Sequence, residues 1–193
     1  MSENTGGKRS LGAKTLAVPT PVWLVAAYDS GGKANVMTIA WGGICCSDPP
    51  CVAVSLRKAT YTYGCITARR AFTVNVPGEE LLKQTDLCGI ITGKTSDKFK
   101  EAGFTAVKAE KVDAPAVQEC KLILECRLAH TFELGLHTQF VGEIVDVKAA
   151  PEILTDGSLD MGKVKPMLFD PGTCSYFGTG ELLGKAFSVG KKS

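Results

Sequence analysis

Arg57, Lys58, Thr60 and Thr62 lie within six residues of one another. They sit between a strand-like run, C-V-A-V-S-L-R, and a short helix-like run, T-Y-T-Y-G-C-I-T-A-R. A helix start offers unpaired backbone N–H groups, which favour an anion. The two threonine hydroxyls add donors, and Arg57 adds a planar fork matched to phosphate. The plainer alternative is a solvated strand end followed by an ordinary N-cap. Upstream, alternation along N-V-M-T-I-A-W puts Asn35, Met37, Ile39 and Trp41 on one strand face, unless a bulge intervenes. An Asn and a Trp on one face could wall a flat ring, although Trp41 could equally be core. Together the two clusters suit a ligand with a phosphate at one end and a flat apolar body.

Other motifs carry less. Gly89-Ile-Ile-Thr-Gly93-Lys94-Thr95 has three residues between its glycines where a phosphate-binding loop has four, and it follows no strand. Gly178-Thr-Gly180-Glu-Leu-Leu-Gly184 is one residue off the dinucleotide fingerprint, and only nine residues follow it. Both near-misses are read as consequences of 21 glycines. There is no C-x-x-C, and His130 and His137 stand seven apart, so no compact metal site is expected. No G-x-S-x-G elbow occurs. The eight cysteines sit mostly in apolar runs and read as packing thiols; the adjacent Cys45-Cys46 is the one pair whose redox role is left open.

A net charge of +2, with 22 basic against 20 acidic residues, gives no electrostatic case for nucleic acid. No apolar run reaches the length of a membrane helix, and Met1–Ser10 lacks the apolar stretch of a secretory signal. The expected compartment is the cytoplasm, with thiols reduced.

The elements that must position these residues are mostly strands. Runs at 21–29, 34–41, 51–57, 71–76, 121–129, 139–147 and 174–177 read as strands, with short helices at 60–69, 79–87 and 97–102. No regular helical crossover separates them, which argues against a doubly wound parallel sheet. The expected fold is mainly β, a barrel with short helices that closes its own edges. Residues 1–12 read as an N-terminal arm, and 13–190 as a single domain.

The strings N-x-M-T-x-A-W, P-P, S-L-R-K-x-T-Y-T, F-T-V-N-V-P and S-x-K-F follow one another between Asn35 and Phe99. In this order they resemble the flavin reductase-like family of FMN-binding split barrels, and within it the flavoredoxin branch of electron carriers. The resemblance spans roughly residues 10–180. It implies a homodimer with one FMN per subunit near the interface. Asn35, Met37, Thr38 and Trp41 would line the isoalloxazine. Arg57, Lys58, Thr60 and Thr62 would hold the phosphate, and Asn75 and Val76 would approach the ribityl or ring edge. Ser96, Lys98 and Phe99 would come from the helical excursion, with His137 and Phe169 closing the pocket. Two functions follow from it: a carrier passing electrons between redox protein partners, or an NAD(P)H-dependent flavin reductase.

Overall fold

A computed structural model describes residues 7–191. Its centre is a seven-stranded antiparallel sheet with the order β3-β2-β6-β9-β10-β5-β4. The strands are β2 (Trp23–Tyr28), β3 (Ala34–Ile39), β4 (Gly42–Ser47), β5 (Pro50–Arg57), β6 (Ala71–Val76), β9 (Leu122–Leu134) and β10 (His137–Ala149). The turn between β2 and β3 is set by Asp29, whose carboxylate accepts from the Lys33 amide at 2.9 Å, and by Gly32 at φ 87°. Such a φ is nearly free only for glycine.

The sheet curls so that its two ends meet. The Ser55 amide donates to the Trp41 carbonyl at 2.8 Å, joining the segment after β3 to β5. Two register shifts in β10, at Val141/Gly142 and Ile144/Asp146, bend the long β9–β10 hairpin around the barrel. Gly142 lies against the Phe72 ring, where a methyl group would come within 2.8 Å of its Cε1 atom. Inside the barrel pack Val25, Val52, Val54, Leu56, Phe72 and Phe140, all nearly inaccessible. Helix α1 (Tyr61–Arg69) closes one end by pressing Cys65 and Ile66 into that core.

A second core lies on the outer face of β2 and β3. Leu24, Ala26 and Val36 are covered there by α2 (Leu82–Ile90), preceded by a 3₁₀ turn at Glu79–Leu81, and by α3 (Lys98–Ala102). The small ladder of β7 (Ala106–Lys108) and β8 (Pro115–Val117) completes the cover. β6 is therefore buried along its whole length, with one core on each face. Further on come β11 (Leu154–Thr155), β12 (Ser158–Leu159) and α4 (Met161–Val164). A three-stranded sheet then joins β1 (Thr20–Pro21), β13 (Leu168–Asp170) and β14 (Ser175–Phe177).

The structure departs from the expected elements in places. The strand expected to run to Trp41 ends at Ile39; the chain bends at Ala40 and Trp41 and forms β4, where no strand was expected. G-G-I-C-C-S has weak strand propensity, and pairing with β5 holds it in place. β9 and β10 each extend beyond the expected bounds to 13 residues. Of the expected N-terminal arm, residues 1–6 lie outside the described residues, and 7–12 are exposed without regular structure. After Phe177 the chain leaves the body, with Leu182, Leu183 and Phe187 almost wholly exposed. No helix among the described residues is long and apolar enough to cross a membrane.

Candidate functional site

At the end of β5 the chain turns sharply. The amide and the hydroxyl of Thr60 both donate to the Arg57 carbonyl, at 3.0 and 2.8 Å. Thr60 takes the N-cap position of α1 with extended backbone, but its hydroxyl is committed to Arg57 and caps nothing. The first turn of α1 holds no acidic residue. Its leading N–H groups therefore remain an uncompensated positive end. The exposed guanidinium of Arg57 takes no hydrogen bond or ion pair among the described residues. Arg57, Thr60 and Thr62 line one open pocket of about 310 Å³, together with Met37 and Lys98.

Behind this pocket the polar groups are fixed. The buried Asn35 amide donates to the Thr62 hydroxyl at 2.7 Å, which leaves the Thr62 proton free to turn toward a ligand. Lys98 opens α3 and is only 6 % exposed. Its ammonium donates to the Cys88 carbonyl at 2.6 Å, near the end of α2, and meets no carboxylate. Burial pulls its pKa below the ordinary lysine value. A buried cation satisfied by one neutral carbonyl favours an anionic or electron-rich neighbour. Asp97 fixes α3 by accepting from the Lys100 amide. Burial also pushes the Cys88 thiol up to about 11, so it is a neutral packing group.

Gly89 and Ile90, near the end of α2, form a wall shared with a second opening of about 260 Å³. The second opening is lined by Thr38, Ala40 and Phe169 among others, and by Asp86 and Tyr176. Phe169 and Tyr176 pack with ring centroids 5.6 Å apart. The Tyr176 hydroxyl donates to Asp86 at 2.8 Å. Burial, then this acceptor, push the phenol up to about 12. The two openings lie on either side of the Gly89–Ile90 wall, one cationic and hydroxyl-rich, the other apolar with an acid–phenol pair.

The structure brings together Met37, Arg57, Thr60, Thr62 and Lys98 around one opening, and Thr38 and Phe169 around the other. Thr38 leaves the face of Asn35 and Met37 and donates its hydroxyl to the Thr85 carbonyl. Trp41 lies past the bend and lines a separate shallow groove with Gly43, Ser55 and Gln139. His137 pairs directly with Arg57 in the strand register and is half-buried beside it, outside the pocket lining. Lys58 points away, ion-paired to Glu133 at 2.6 Å.

Asn75, Val76, Ser96 and Phe99 stay outside both openings. The buried Asn75 amide donates to the Leu24 carbonyl and the Thr73 hydroxyl, and accepts from the Val117 amide, so no hydrogen is left for a ligand. Val76 packs with Ile153 and Val164, and Phe99 in the outer core. The Ser96 amide closes the loop onto Thr92 at 3.0 Å.

Sequence reasoning missed the loop wall at 88–93, together with Asp86 and Tyr176. Gly93 carried a readable signal. A methyl there would collide with Asn35 Oδ1 and lie 2.7 Å from Tyr61 Cδ1. Its glycine reflects close approach of the loop to Asn35 and Tyr61, not chance composition. Tyr61 is itself held by Asp29, its hydroxyl donating at 2.7 Å.

The flavin reductase like domain model matches residues 15–175 of the chain. Among solved structures, the flavoredoxin of Desulfovibrio vulgaris (Miyazaki F) superposes with a TM-score of 0.91 and 51 % identity. That match covers 95 % of this chain and all of the other. The flavoredoxin of Methanosarcina acetivorans gives a TM-score of 0.89 at 32 % identity, over 95 % of this chain and 97 % of that one. An FMN reductase (NADH) of Pseudomonas syringae is 26 % identical over 125 residues, covering 65 % of this chain and 67 % of its own length.

Proposed function

The chain belongs to the flavin reductase like domain family, and on that premise we propose that it binds FMN and carries electrons between protein partners. The observation that carries this reading is Arg57, without a partner among the described residues, beside the acid-free start of α1, in a pocket that shares its Gly89–Ile90 wall with an apolar opening. These residues fit the group. Arg57, Thr62 and the leading amides of α1 supply donors for a dianionic phosphate. Met37, Ile90 and Phe169 supply the surface for a flat ring system. When bound, FMN supplies the electron chemistry. The chain anchors the phosphate, keeps water from part of the ring, and holds the positive charge of Lys98 at the pocket wall.

The carrier reading is supported by the flavoredoxin likeness at 51 % identity over nearly the whole chain. The FMN reductase (NADH) relative favours a second reading, in which NAD(P)H reduces the flavin. The two make different demands: a carrier retains its flavin, whereas a reductase that supplies free flavin releases it.

A homodimer belongs to the same proposal. Phe132, Leu134 and Leu136, at the tip of the β9–β10 hairpin, are each more than half exposed. They stand next to the His137–Arg57 pair, so a second copy seated there would lie against the Arg57 pocket.

The test is the visible spectrum of purified protein, then gel filtration, then anaerobic addition of NADH or NADPH. Retained FMN, reduced faster by a low-potential redox protein than by either nucleotide, supports the carrier. Fast reduction by NAD(P)H with turnover of free FMN selects the reductase. A colourless protein that takes up no added FMN overturns both.

A further inference from the structure

The far end of β5 carries a feature that the flavin site does not use. Cys46 on β4 and Cys51 on β5 are directly opposite in the strand register. The register shifts between Ile44 and Cys46, so Cys45 is the extra residue of a bulge and Cys46 is the one matched. No other two cysteines among the described residues are paired in this way. Cys46 is exposed, and its thiol lies 3.4 Å from the Asp48 carbonyl in the turn. Cys51 is only 6 % exposed.

Residues facing one another in an antiparallel pair have Cα atoms about 4.5 or 5.5 Å apart. Both spacings fall inside the window of roughly 4.4–6.8 Å that a disulfide takes. β4 is the terminal strand of the sheet order and is joined to β5 by a short turn, so it can yield the small approach that closure needs. The buried Cys51 thiol is pushed up first by burial and then by its neighbours Cys46 and Cys45. The other buried thiols, Cys65, Cys88, Cys120 and Cys126, lie within apolar cores.

We propose that Cys46 and Cys51 form a reversible cross-strand disulfide, with exposed Cys46 as the thiol that meets the oxidant and buried Cys51 as the resolving thiol. With a hydroperoxide as oxidant, the Cys46 sulfur attacks the peroxide; the S–O bond forms, the O–O bond breaks, and an alcohol or water leaves with the thiol proton. The Cys51 sulfur then attacks the sulfenic acid; the S–S bond forms and water leaves with the second proton. Two thiols and one hydroperoxide give one disulfide, one alcohol and one water. A dithiol reductant reverses it by exchange. The pair lies six residues along β5 from Arg57, about 20 Å at strand rise. Its oxidation is therefore readable whether or not flavin is bound.

The experiment uses the full chain, reduced and then treated with one equivalent of hydrogen peroxide. Trypsin with a protease cutting before aspartate releases 34–47 and 48–57, which separate the two cysteines. The expected result is a protein about 2 Da lighter, two hydrogens lost, with these two peptides joined and freed again by dithiothreitol. Cys45→Ser keeps the link; Cys46→Ser and Cys51→Ala lose it. Because Cys46 is exposed, its variant remains informative even if Cys51→Ala fails to fold. A link through Cys45, a link between two chains, a sulfinic acid at Cys46 without cross-link, or unreacted thiols would each overturn the proposal.

Discussion

Replacing Arg57 with alanine separates anion binding from fold stability. The side chain is exposed and has no partner among the described residues, so its loss leaves no buried group there unpaired. The fold should therefore keep its melting temperature. A charge-assisted hydrogen bond contributes about 1.5–3 kcal/mol. Solvent screening at an exposed site puts Arg57 near the lower figure, which is roughly a tenfold weaker dissociation constant for FMN. Riboflavin lacks the phosphate and should bind wild type and variant alike. Flavin fluorescence titration of the apoprotein measures both ligands. A second phosphate ionisation falls near pH ~6, so the Arg57 contribution should shrink below that pH and at high salt. Equal losses for FMN and riboflavin, or none for FMN, would refute the placement of the phosphate at Arg57. Thr62→Val removes a proposed phosphate donor and a buried acceptor together. It strips the Asn35 amide of its acceptor and should cost about 1–3 kcal/mol of stability whatever the ligand.

Asn75→Ala breaks three buried hydrogen bonds and should destabilise the fold by about 2–3 kcal/mol in urea titration, while FMN affinity of the folded fraction stays within twofold (about 0.4 kcal/mol). A selective loss of FMN would restore Asn75 to the site. Gly93→Ala forces the loop off Asn35 and Tyr61 and should cost about 1–3 kcal/mol with weaker FMN binding; unchanged binding would show that the loop is no part of the pocket. Lys98 has its folded pKa lowered below the unfolded value, so the unfolded chain binds more protons between the two. Apoprotein stability should rise with pH between the lowered folded value and the ordinary lysine value, and the penalty should be complete below the folded value. Lys98→Met should remove this rise, seen by urea unfolding at pH 7 and near pH 10, and should weaken FMN; a rise that persists would place its origin elsewhere.

The clustering of Arg57, Thr60 and Thr62 around one pocket was legible because it is local. A strand end, a turn and a helix start fall within residues 57–62, so residue types and spacing carried the geometry unaided. Six of the seven strands of the central sheet were legible for the same reason, from alternation along β2, β3, β5, β6, β9 and β10. Asn75 was not, because β6 is covered on both faces and alternation then says nothing about which core a side chain enters. Trp41 falls outside the alternation because a bend at Ala40 and Trp41 ends it, and a two-glycine segment became a strand only by pairing with β5. Thr60 had the residue type of a cap but spent its hydroxyl one turn back, on the Arg57 carbonyl.

The second opening depends on pairings that no local pattern encodes. Phe169 and Tyr176 reach Thr38 and Asp86 because β13 pairs with β1 across nearly 150 residues, as the Thr20–Phe169 bond shows. That short sheet, and not the barrel, brings the aromatic wall to the end of α2. On the proposed reading the local half of the site would hold a phosphate, which carriers and reductases of a flavin need equally. On the same reading the surface that would meet the flavin ring lies where β13 and β14 meet α2. Those residues are the ones whose positions depend most on long-range pairing. Substitutions at Asp86, Phe169 and Tyr176 should shift flavin retention and nucleotide access while leaving the phosphate contacts of Arg57 intact.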